Sequence, residues 1–86
     1  MKKKLLKVKV VCSPILGMED FEGLAEAVSS KNRLGKFDIL PFHTNFISLI
    51  FDELKILTPE KREIKYKFKR GVLETSENEV NVFLGL

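Results

Sequence analysis

Between Glu63 and Lys69 the chain reads EIKYKFK, in which Ile64, Tyr66 and Phe68 alternate with Lys65, Lys67 and Lys69. In an extended strand such neighbours fall on opposite faces, one for a core and one for water, whereas a helix would scatter them around its axis. The same period occurs in LLKVKVV, where Leu6, Val8 and Val10 alternate with Lys7, Lys9 and Val11 until Ser13-Pro14 ends the run. KFDIL, closed by Pro41, reads as a short strand, because proline cannot donate to a central ladder and the residue before it favours extended geometry. TPEK is a turn with proline in second place, and GVLET, the polar connection SENE and VNVFL form a terminal hairpin. Strands recurring every ~8 to 12 residues are spaced as in a sandwich or barrel, so the pattern predicts an all-β fold.

Two segments stay ambiguous on periodicity. FEGLAEAVSS holds good helix formers in LAEAV, but Gly23 interrupts it and SSKNRLG follows as a loop. NFISLIFDELKIL fits a helix, with Phe46, Ile47, Ile50, Phe51 and Leu54 on one side, or two short strands joined at Asp52 and Glu53. With 86 residues the chain predicts a single domain over residues 5–86 behind a flexible basic tail at 1–4. The expected core is Leu6, Val8, Val10, Ile39, Ile64, Tyr66, Phe68, Leu73, Val80 and Val82. No apolar run approaches the ~20 residues of a spanning helix, and lysines break the first one, so the reading is cytoplasmic.

The same inventory narrows the chemistry. Cys12 is the sole cysteine, which excludes an internal disulfide and a multi-cysteine zinc site, and it reads as a small packed hydrophobe. Cys12 and His43 are the only thiol and imidazole, and neither sits in a signature that would hold a nucleophile beside its base. One histidine makes no metal site, and Gly17, Gly23, Gly35, Gly71 and Gly85 are too scattered for a phosphate loop. The reading is a binding module, not an enzyme, without cofactor or metal.

The order of segments then becomes informative. Phe21, Gly23, Gly35, Phe37, Ile39, Pro41 and His43, followed by Gly71, Leu73, Glu74, Val80 and Val82, run collinearly with a known pattern. The chain resembles the amino-terminal β-sandwich of the epsilon subunit of F-type ATP synthases. The resemblance implies a sandwich or flattened barrel of about eight to ten short strands. It makes LAEAVSS a strand and FISLIFDELKIL a hairpin turning near Asp52. It further implies a non-catalytic central-stalk subunit that docks the gamma subunit to the c-subunit ring and helps couple proton transport to ATP synthesis, peripheral on the inner face of the membrane. Pro41, Phe42, His43 and Thr44 would meet the gamma subunit, and Arg33, Gly35 and Lys36 the ring. Members continue into a carboxy-terminal helical hairpin, which this chain is expected to lack.

Three positions depart from that pattern: Phe42 stands where the family usually has glycine, Asn45 where proline is common, and Lys36 where an acidic residue is common. They leave room for a diverged paralogue with another protein partner. A rival from a different class is a small barrel binding single-stranded nucleic acid, with Tyr66 and Phe68 stacking on bases and Lys65, Lys67, Lys69 and Arg70 on phosphates. Alternation opposes it, since the aromatics and the lysines lie on opposite faces.

Overall fold

The computed structural model describes residues 4 to 85; of the expected tail, residues 1–3 lie outside the described residues. Among the described residues seven strands form one sheet: β1 (Leu6–Cys12), β2 (Phe21–Ala25), β3 (Ala27–Asn32), β4 (Gly35–Ile39), β5 (Phe46–Leu57), β6 (Glu63–Ser76) and β7 (Glu79–Leu84). A 3₁₀ turn, Pro14–Leu16, accompanies them. Their order is β2-β1-β7-β6-β5-β3-β4, antiparallel except for the parallel pair β1–β7.

That order shows how the sheet must bend. β2 and β3 stand five places apart, which in a flat sheet would be about 24 Å. Only Glu26 separates them along the chain, and Ala25 to Ala27 reaches at most ~7 Å. The sheet therefore folds over on itself into two layers, a small sandwich. The N–H of Glu26 donates to the carbonyl of Leu57 at 2.8 Å and fixes this crossover to the end of β5. So LAEAVSS is extended as expected, but shared between two strands.

Between the layers lies the core. β1 contributes Leu6, Val8, Val10 and Cys12, β5 contributes Ile50, Leu54 and Ile56, and β7 contributes Val80, Val82 and Leu84. Nine of the ten expected core residues are buried; Ile64, near the start of β6, is half-buried against their edge.

The strand number is lower than expected because two strands run long. FISLIFDELKIL does not turn at Asp52. β5 pairs with β6 throughout, and the register slips between Phe51 and Asp52: Phe51 faces Arg70, Asp52 faces Phe68, and Lys69 has no opposite residue. Asp52 takes φ 75° there, so the acidic pair marks a bulge, and the chain reverses instead at residues 58–62. The bulge switches the inward side of β6 from Tyr66 and Phe68 to Gly71, Leu73 and Thr75. Thus EIKYKFK and GVLET are one strand. Its passage over β7 requires glycine at 71, where a Cβ would stand 2.5 Å from the carbonyl oxygen of Phe83.

Candidate docking surface

The Pro41–Thr44 segment follows β4 as a turn in which the N–H of His43 donates to the carbonyl of Leu40 at 3.1 Å. Phe42 is 65% exposed and holds φ 65°, the left-handed conformation for which the sequence pattern would place glycine. What holds it there is Asn78, whose Oδ1 accepts the N–H of Phe42 at 2.8 Å while its Nδ2 donates to the carbonyl of Leu5 at 2.7 Å. Glu77 and Asn78 both have positive φ, as a two-residue hairpin turn of the I′ kind requires, so the tip of β6–β7 presents that side chain to the neighbouring turn. The Lys4 ammonium lies 5.2 Å from the Phe42 ring centre.

His43 packs its ring edge-on against Phe46 at 5.9 Å, and Phe46 meets Phe37 at 5.5 Å. Its Nδ1 lies 2.8 Å from the carbonyl oxygen of Thr44; a carbonyl can only accept, so Nδ1 carries the proton. His43 is therefore an oriented, half-buried turn residue. It is remote from Cys12: the His43 turn adjoins Leu5, just before β1, and Cys12 ends that strand about 20 Å further on. Cys12 is buried, its thiol donates to the carbonyl of Glu19, and burial followed by the charge of Asp20 raises its pKa, which removes it from nucleophilic work.

Arg33, Gly35 and Lys36 lie at the opposite end of β4, in the β3–β4 hairpin. Leu34 at its tip is 97% exposed, and its N–H donates to Oδ1 of Asn32 at 2.9 Å. Gly35 has φ 125°, which an L side chain would resist. The Arg33 guanidinium stands 6.0 Å from the centre of the Phe51 ring, and Lys31, cross-strand from Lys36, binds Asp52 at 2.7 Å. The expected site residues thus form two separate turns at the two ends of one edge strand.

Sequence reading missed a third surface. On the outer face Leu49 lies opposite Val72, Val72 opposite Phe83, and Phe83 beside Val11, giving an apolar row across β5, β6, β7 and β1. Phe83 is 52% exposed, and Ile47 extends the patch along β5. Outward apolar residues aligned in this way form one contiguous patch, unlike scattered surface hydrophobics. The visible signals were Val11 in the lysine phase of β1 and Ile47 and Leu49 out of phase with Ile50.

No protein-family model matches the sequence, and no curated protein matches it either. Solved structures do. One is a chain in Euglena gracilis mitochondrial ATP synthase (OSCP/F1/c-ring, rotational state 1), with a TM-score of 0.82 and 10% identity over 95% of this chain and 51% of that one. Another is a chain in Tetrahymena thermophila mitochondrial ATP synthase (central stalk/c-ring), with a TM-score of 0.73 and 12% identity over 98% of this chain and 66% of that one. The fold is shared with chains of two ATP synthases. The present chain spans about half the length of the first match.

Burial of the two aromatic rings of β6 weakens the nucleic-acid rival. Tyr66 and Phe68 are 6% and 8% exposed, and the Tyr66 hydroxyl donates to the carbonyl of Glu19 at 2.9 Å. Neither ring is open to a base.

Proposed function

We propose that this chain is a non-catalytic docking domain of the central-stalk kind in an F-type ATP synthase, similar to the amino-terminal sandwich of an epsilon subunit. Pro41, Phe42, His43 and Thr44 meet a gamma-type subunit, while Arg33, Gly35 and Lys36 meet the ring of c subunits. The domain passes torque between them without chemistry of its own and sits at the membrane surface through the complex, helping couple proton transport to ATP synthesis. The observation that carries this reading is the likeness to chains of two ATP synthases over nearly the whole length of this one. The geometry supports it: two turns at opposite ends of β4 offer separate contacts for two partners, one carrying exposed Phe42 and the other exposed Leu34.

The test is calorimetry of the purified chain with the gamma subunit of the same organism. A complex is expected, weakened by about 1 kcal/mol or more by Phe42→Ala or His43→Ala with the thermal midpoint preserved. No complex, or a tight one indifferent to both changes, overturns the assignment of the turn. Phe42 in a left-handed position usually given to glycine favours one variant of this reading, a diverged copy with another partner. In that case Phe42→Gly restores binding to a gamma subunit that the native chain refuses.

A further inference from the structure

We propose that the outer face of β1, β5, β6 and β7 pairs with a second copy of this chain, about a two-fold axis lying along the row Leu49, Val72, Phe83 and Val11. The argument begins with what the face would carry if it met only water. Along the first half of β6 the outward positions are Lys65 and Lys67, both exposed, as solubility requires. Beyond the bulge the outward positions become Arg70, Val72 and Glu74. On β5 the neighbours of these three are Phe51, Leu49 and Ile47. Beyond Val72 the apolar row continues through Phe83 to Val11.

β6 therefore reads cation, apolar, anion in steps of two residues, about 7 Å each. A two-fold axis along the apolar row leaves each strand over its own copy and exchanges the flanking rows. Val72 then meets Val72, Phe83 meets Phe83, and Phe51 meets Ile47. Arg70 of each copy falls opposite Glu74 of the other, twice by symmetry. Among the described residues neither Arg70 nor Glu74 has an ion-pair partner within the fold. The face is thus self-complementary in charge as well as in polarity, which is the condition for an isologous contact. Two further cations border the face: Arg33, whose guanidinium lies 6.0 Å from the Phe51 ring centre on the side away from Arg70, and Lys9, two strands from β6. This pairing belongs to the free chain and does not depend on the stalk reading.

A patch four strands wide makes a small interface, so the expected dissociation constant is on the order of 100 µM. Sedimentation velocity of the whole chain from about 10 µM to about 1 mM should show a monomer giving way to a dimer. Phe83→Glu should abolish the dimer over that range. Arg70→Glu, which sets two anions against each other, should weaken it at least about 5-fold, and Arg70→Glu with Glu74→Arg should restore it to within about 2-fold. Circular dichroism of each variant confirms the fold; these side chains are on the surface. A monomer throughout the range overturns the proposal and leaves the face to a different partner. So does a dimer untouched by Phe83→Glu, or an exchange no better than the single reversal.

Discussion

Thr75 is 1% exposed, and its hydroxyl has no hydrogen-bond partner among the described residues. A hydroxyl taken out of water without a replacement partner costs about 1 to 3 kcal/mol. Valine has nearly the same shape without that cost, so Thr75→Val should raise stability by about 1 kcal/mol, read as a rise of some 4 to 8 °C in Tm for a domain of this size. An unchanged or lower Tm would mean the hydroxyl is satisfied after all. Phe42 shows the opposite balance, an unfavourable backbone angle tolerated because Asn78 fixes the amide beside it. The strain at Phe42 was legible in the sequence; Asn78 was not, since its second role depends on a turn 36 positions away.

β6 joins the two layers: residues Glu63–Thr75 pair with β5, and Gly71–Ser76 pair with β7 as well. Gly71 sits where both partners flank the strand, and its missing side chain lets β7 approach. Gly71→Ala should cost about 1 to 3 kcal/mol, because the new methyl would press on the Phe83 carbonyl and on Leu84, which stands 2.9 Å from the added carbon. Urea unfolding would measure it, and a loss below a few tenths would show that the crossing is looser than described. The strands β1 and β4 and the first half of β6, where alternation is clean, could be read directly from the chain; that β6 runs on through GVLET could not. β5 was misread because Asp52-Glu53 resembles a turn, and only the partner strand reveals that one extra residue, Lys69, absorbs the break. The apolar row stayed hidden for a similar reason: nothing along the chain says that Val11 lies beside Phe83.

Glu53 ties three strands together electrostatically. Loss of hydration pushes its carboxyl up, but Lys55 and Lys67 beside it and Lys36 across the layer outweigh this and hold it below the ordinary glutamate value. Lys36 thus has work inside the fold besides its place in the proposed ring contact. Because the folded-state pKa is depressed, the stabilisation is fully present above the unfolded value of about 4.3 and is lost as pH falls through the lower folded value. Thermal melts from about pH 6 to pH 3 should therefore show a steeper decline for the native chain than for Glu53→Gln. Parallel curves would remove Glu53 from the acid response.

The parallel pair β1–β7 has a temporal consequence. In the sheet order β1 and β2 reach the other strands only through β7, the last of the seven to leave the ribosome. Lys7 pairs with Glu79 and Cys12 with Leu84, so this ladder closes a loop of some seventy residues, which carries a large entropic cost before any contact rewards it. Until then β1 exposes Leu6, Val8 and Val10 with no partner except β2. The earliest of these seven strands is thus among the last to be secured, and Lys7 and Lys9 alternate with its apolar side chains, the charge pattern that disfavours edge-to-edge pairing of an unpartnered strand.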